Sequence, residues 1–148
     1  VGEARIRGVE LDASATIFWR LNLQSSYSYI DARVSKSNGP DLGKRLPTSP
    51  AHMAKFWVMR GFSFTGRGSL TAGVGVRYTG DSWDGDDALK TPAYTLLDAM
   101  LAYDFRTWRF AINAANLTDK IYLATCLARG DCFYGLRRTV TANLSYRF

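Results

Sequence analysis

Thr139-Val140-Thr141-Ala142-Asn143-Leu144-Ser145-Tyr146-Arg147-Phe148 closes the sequence. Val140, Ala142, Leu144, Tyr146 and Phe148 are apolar, while Thr139, Thr141, Asn143, Ser145 and Arg147 are polar. In a strand, successive side chains point to opposite faces, so this run makes a sheet with one apolar and one polar face. Wound as a helix, the same apolar set would spread round every side.

The alternation recurs upstream. Leu97, Ala99, Leu101, Tyr103 and Phe105 alternate with Asp98, Met100, Ala102 and Asp104. Leu70, Ala72, Val74, Val76 and Tyr78 alternate with Thr71, Gly73, Gly75 and Arg77. Trp108, Phe110, Ile112 and Ala114 behave alike, as do Leu21 to Tyr29 and Val9 to Ala13; near 52–62 the pattern is weaker, but Phe56, Trp57 and Val58 suit a strand. The spacing predicts seven strands, at about 3–14, 18–32, 51–62, 68–80, 94–105, 107–116 and 134–148. Short turns near 15–17, 63–67 and 105–107 alternate with long connections at 33–50, 81–93 and 117–133, rich in Gly, Pro, Asp, Ser and Asn. The expected fold is all-β: an antiparallel up-and-down meander of about seven strands, curved but not closed. Every short turn then lies at one end and every long loop at the other.

Composition agrees. Of 148 residues, 47% are hydrophobic and 14% aromatic, too apolar for a disordered chain. No apolar run approaches the roughly 20 residues of a membrane-spanning helix. The chain opens at Val1 directly in structured sequence, without a secretory signal, and reads as a piece of a longer protein. The net charge of +6 is scattered, with tight groups only at Arg5/Arg7 and Arg137/Arg138, which argues against a nucleic-acid partner.

Alternation does not say which face is outside. Aromatics fall at two levels. Phe18, Trp19, Phe62, Phe64, Phe105, Trp108, Tyr146 and Phe148 lie near the short turns; Tyr27, Tyr29, Tyr78, Tyr94, Phe133 and Tyr134 lie toward the long loops. Ten tilted strand residues between the levels span about 25 Å, the apolar band of an outer-membrane barrel. Arg77, Arg109, Asn113, Asp98, Asp104, Thr141, Asn143 and Arg147 would then face a polar lumen.

Four stretches resemble the C-terminal part of TonB-dependent siderophore receptors. They are Arg7-Gly8-Val9-Glu10-Leu11-Asp12-Ala13; Leu21 to Asp31; Arg45-Leu46-Pro47 with Pro50 and His52; and Asn116-Leu117-Thr118-Asp119-Lys120 with Tyr122. The ending Tyr146-Arg147-Phe148 is similar to the family's usual one. The resemblance implies that residues 1–148 are a single C-terminal section of a 22-stranded barrel, with the N-terminal plug and TonB-engaging segment absent from this piece. By itself the piece would not transport. It further implies the outer membrane of a Gram-negative bacterium, with lipid, TonB (through the missing N-terminal part) and the barrel-assembly machinery as partners. Leu144, Tyr146 and Phe148 would be the signal read by that machinery.

Cys126 and Cys132, followed by Phe133-Tyr134-Gly135, are similar to the pair in receptors for ferric hydroxamate siderophores. An oxidising exterior makes a Cys126–Cys132 bond plausible, with a Cα separation of about 4.4–6.8 Å. Members often carry an aromatic after the first cysteine, where this chain has Leu127. In the family, the iron arrives wrapped in the siderophore. The protein therefore needs no metal ligands and no bound cofactor, and the loop candidates for ligand contact are Trp83, Leu127, Phe133 and Tyr134.

Other chemistry is poorly supported. His52 is the sole histidine and no nucleophile–His–carboxylate set is recognisable, so no enzyme is expected. The acidic run Asp81 to Asp87 lacks calcium-loop spacing. Arg129-Gly130-Asp131 reads as a tight turn rather than an adhesion motif, and Asn116-Leu117-Thr118 as a sequon of little weight in a bacterium. Two alternatives stay open: a soluble β-barrel around an apolar small molecule, and a purely structural outer-membrane barrel.

Overall fold

The computed structural model describes residues 2–148. Eleven strands follow in order: β1 (Glu3–Ile17), β2 (Leu21–Lys36), β3 (His52–Phe64), β4 (Gly68–Thr79), β5 (Ser82–Trp83), β6 (Lys90–Thr91), β7 (Tyr94–Phe105), β8 (Trp108–Ala115), β9 (Leu123–Cys126), β10 (Cys132–Tyr134) and β11 (Thr139–Tyr146). Seven form one open sheet in the order β1-β2-β3-β4-β7-β8-β11, while β5–β6 and β9–β10 are small separate hairpins. Every neighbour pair in the sheet is antiparallel. This is the expected seven-stranded meander.

Three boundaries differ from expectation. The first turn lies at Phe18–Arg20, not at 15–17. Pairing continues to Ile17↔Leu21 because Ala13, Ala15 and Ile17 prolong the apolar stripe, and Thr16 Oγ1 donates to Asn22 Oδ1 at 2.8 Å. At their other ends β1 and β2 stay paired up to Lys36, so this hairpin runs past the expected end at 32. The last sheet strand begins at Thr139, not 134, since residues 132–134 pair instead with β9.

The register assigns the faces. Leu11, Tyr27, Ala54 and Tyr78 lie side by side across β1 to β4, and Leu101, Ile112 and Ala142 across β7, β8 and β11. This apolar face is the exposed one: Leu11 62%, Val74 60%, Phe110 53%. Opposite it, Asp98 and Ala102 are 7% and 1% exposed. A soluble barrel would show the reverse, because apolar area drives its core out of water. The polar face carries two ion pairs, Arg77–Asp98 and Arg109–Asp104 (3.2 Å). It also carries Trp57, whose indole lies so close over Gly75 that a Cβ there would fall 2.4 Å from the ring.

The aromatic levels are largely as expected. Trp108, Tyr146 and Phe148 pack together at the short-turn end, with centroids 4.8 and 5.4 Å apart, the first pair tilted and the second edge-on. At the other end, Tyr27 Oη meets His52 Nδ1 at 2.8 Å and Tyr29 packs 5.1 Å from the His52 ring. Tyr94 is the exception. It shares the parity of Leu96 and Asp98, on the polar face, and stacks on Tyr122 at 4.3 Å. Phe133 and Tyr134 also leave the belt, since they belong to the β9–β10 hairpin. Arg60 stands on the apolar face, its guanidinium 4.9 Å from the Phe62 ring, which lets the charge reach the interface while its stem stays apolar.

Candidate loop site

The three long connections meet beyond the sheet. In the β5–β6 hairpin, Lys90 lies 5.6 Å over the Trp83 ring and pairs with Asp81 at 3.1 Å. The Lys90 ammonium is the main reason the Asp81 carboxyl sits below its ordinary value. Burial alone would raise the Asp84 carboxyl, but the N–H groups of Leu89, Ala88 and Asp86 hold it below the ordinary range. Those donors approach at 3.0, 3.2 and 3.0 Å. They fill the carboxylate, so the acidic run folds around its own backbone. Among the described residues no cluster of three metal-ligating side chains occurs.

The β2–β3 loop leans on this hairpin. Thr48 N–H donates to the Trp83 carbonyl at 2.9 Å, and Lys44 reaches Asp86 at 3.8 Å. On the other flank, Cys126 N–H donates to Thr91 Oγ1 at 2.9 Å. Loop, hairpin and hairpin are thus joined in series.

In β9–β10, Cys126 and Cys132 are bonded, S–S 2.01 Å. Their Cα separation of 4.1 Å falls just below the expected range. The reason is register: Cys126 and Cys132 are direct cross-strand partners. The adjoining pair is bonded through Leu127 N–H to the Asp131 carbonyl, 2.8 Å. The cysteines therefore occupy a narrow, non-hydrogen-bonded position, where Cα atoms sit about 4.5 Å apart. The loop closes through Gly130 N–H to the Leu127 carbonyl (2.9 Å), with Gly130 at φ +97°. That left-handed residue is why glycine stands in the turn. Arg129 pairs with Asp131, so the adhesion-like tripeptide is a structural turn.

Below lies a polar knot. Asn116 N–H donates to Asp98 Oδ1 (2.9 Å), and its side chain donates to the carbonyls of Lys120 (2.8 Å) and Leu136 (3.1 Å). Asp119 accepts from Arg137 at 2.9 and 2.5 Å and from Arg138 N–H at 2.9 Å. Arg137 first, then the Arg138 N–H, hold the Asp119 carboxyl far below the usual range. Gly135 leaves room for the Tyr122 ring, since a Cβ there would lie 2.0 Å from Tyr122 Cζ. Burial, and next the adjacent Tyr94, push the Tyr122 phenol upward, so it remains neutral.

Of the four ligand candidates, Leu127, Phe133 and Tyr134 share the disulfide hairpin, with Tyr134 73% exposed. Trp83 stands on the neighbouring hairpin, which Thr91 Oγ1 joins to the first by accepting from Cys126 N–H. Sequence reasoning did not single out Thr91 or Thr48, because a lone loop threonine carries no pattern. It quoted Tyr122 but not its stack on Tyr94.

A polar face behind an exposed apolar wall, two aromatic levels and loops gathered at one end define a section of a transmembrane β-barrel. A family described as TonB dependent receptor-like, β-barrel, matches residues 1–117. The chain belongs to this family, whose barrels stand in the Gram-negative outer membrane. It is 35% identical over 153 residues to the ferrichrome outer membrane transporter/phage receptor of Escherichia coli K12, covering 99% of this chain and 20% of that protein. It is 32% identical over 154 residues to the ferrioxamine B receptor of Salmonella typhimurium, covering 100% of this chain and 22% of that protein. The chain thus spans about a fifth of the length of these relatives. Among solved structures, the ferric preacinetobactin receptor of Acinetobacter baumannii superposes with a TM-score of 0.84 at 24% identity, over 98% of this chain and 22% of that one. The ferric yersiniabactin uptake receptor of Yersinia pestis gives 0.83 at 24% identity, over 99% and 24%. At such identity the two structures speak for the fold.

Proposed function

We propose that the chain forms one section of the barrel wall of a longer receptor that captures a ferric siderophore and admits it with the help of TonB. The plug and the TonB-engaging segment belong to the rest of that protein. The siderophore class the reading favours is hydroxamate, the class bound by relatives named for ferrichrome and ferrioxamine B. The observation that carries the reading is the serial joining of Trp83, Thr91 and the Cys126–Cys132 hairpin over a polar lumen wall. A wrapped ferric complex offers aromatic and polar surface, not open iron sites. An aromatic and polar wall suits it better than a set of metal ligands.

Trp83, Leu127, Phe133 and Tyr134 are the contacts we assign on these loops. The protein acts by binding and passage, with no turnover chemistry and no resident cofactor. Leu144, Tyr146 and Phe148 serve the barrel-assembly machinery. The test is uptake of iron-labelled ferrichrome and ferrioxamine B by a receptor-null strain carrying the full-length protein. Uptake that requires TonB and falls in the Tyr134→Ala and Trp83→Ala variants is the expected result. TonB-independent entry, or no uptake of any ferric siderophore offered, would overturn the assignment.

A further inference from the structure

The outward face of the β1–β2 hairpin carries a feature the siderophore reading does not use. Arg5 pairs directly with Arg33, and Arg33 with Arg45 across an isolated bridge. Directly paired residues point to the same side, so three arginine side chains leave this face side by side. Arg7, two residues along β1 from Arg5, continues the set on the same face. Like charges placed opposite one another destabilise a sheet. A strip of this kind needs a reason.

One local carboxylate offsets only part of it. Asp31 is bonded to Arg33 Nε at 2.8 Å, and it is the one acid on this strip. Among the described residues, Arg5, Arg7 and Arg45 have no carboxylate within ion-pair distance. Asp81, whose carboxyl feels the Arg45 charge only weakly, is itself paired with Lys90 at 3.1 Å. Glu3, beyond Arg5, is paired with Lys36 at 3.3 Å.

The level matters as much as the charge. The strip has the strand parity of Val9, Leu11, Tyr27 and Tyr29, which is the apolar outer face, not the lumen face. Asp31 and Arg33 lie two and four residues past Tyr29, about 5–10 Å beyond the aromatic belt along a tilted strand. That is the depth of lipid headgroups. Between Arg33 and Arg45 opens a cleft of about 140 Å³ that also takes in Tyr29, Asp31, Ser49 and His52. Arg33 spends its Nε on Asp31 and its Nη1 on the Gly43 carbonyl (3.3 Å), which fixes its guanidinium in the cleft with Nη2 still to donate. Two arginines, a hydroxyl and an imidazole outnumber the one carboxylate there, and arginine binds phosphate through several N–H groups.

We propose that this strip is a binding site for the phosphate groups of an anionic outer-leaflet lipid, with Arg33 and Arg45 holding the phosphate and Arg5 and Arg7 extending the field. It rests on the apolar face being the lipid face, and is independent of which siderophore the receptor takes.

The test uses the full-length receptor in nanodiscs of phosphatidylethanolamine doped with diphosphorylated lipid A, or with the same lipid stripped of phosphate. Retained lipid A is counted by native mass spectrometry. Losing two charge-assisted contacts in R33Q/R45Q should weaken retention of the phosphorylated lipid about tenfold or more, leave the stripped lipid unaffected, and leave siderophore binding intact. R33K/R45K should recover part of the loss. Should R33Q/R45Q fail to insert, R5Q at the end of the strip carries the same comparison. Equal retention by wild type and variant would overturn the proposal. So would retention indifferent to the lipid's phosphates, or a site filled by millimolar inorganic phosphate with no preference for the lipid.

Discussion

Asp119 gathers three donors from residues 18 and 19 positions away, and it does so with its own backbone in the left-handed region at φ +55°. The string Asn116-Leu117-Thr118-Asp119-Lys120 was legible as a motif, but its work was not. The Arg137 partner is distant in sequence, and a carboxylate does not declare its partner in a one-dimensional pattern. The pairing has a pH signature. A carboxyl whose folded value is depressed contributes order that is present above its unfolded value, near 4, and lost as pH falls through the folded value. The order at Arg138 should therefore be flat from neutrality down to the ordinary carboxylate range and decline only in stronger acid. Asp119→Asn should remove that acid-sensitive component and lower protection already at neutral pH. Amide-exchange protection factors at Arg138 and Lys120 in the full-length receptor measure both effects. A variant as protected as wild type at neutral pH would contradict this account.

At the level of elements, long alternating runs were legible because eight or more residues of period two admit one reading. The small hairpins were not: β5 and β6 have two residues each and β10 three, too few to show a period. The misplaced first turn has a related cause, since Phe18 and Trp19 look like strand residues by type and occupy the turn only because pairing runs to Ile17. Reducing the disulfide should act on one element alone. Closing so short a loop restricts the open chain by about 2 kcal/mol in the chain-entropy view. In Cys126→Ser/Cys132→Ser, the β9–β10 hairpin should lose exchange protection and ferric siderophore affinity should fall, while the barrel keeps its heat-modifiable mobility on gels. Unchanged affinity would separate the hairpin from ligand capture.

On the scale of the molecule, the open sheet has two edges, β1 and β11. Their backbone groups await neighbours, and in lipid they must find them. On β11 and just past its end, Leu144, Tyr146 and Phe148 form an apolar row beside such an edge, with Phe148 fully exposed. Phe148→Ser in the full-length receptor should reduce its outer-membrane amount several-fold, read by fractionation and heat-modifiable folding. Undiminished insertion would leave Phe148 its edge-on contact with Tyr146 and no assembly role. The two ends of the sheet also differ in what they permit to change. At one end, turns of two or three residues between β3 and β4, or β7 and β8, fix which residue faces which. They serve as a ruler. At the other, the connections can grow, shrink or be rewritten without moving a single rung of that ruler, because no register passes through them. Selection for a new cargo can therefore work on one rim while the wall stays constant, and a graft of the 117–138 segment between related receptors should change what is recognised without changing how the barrel is built.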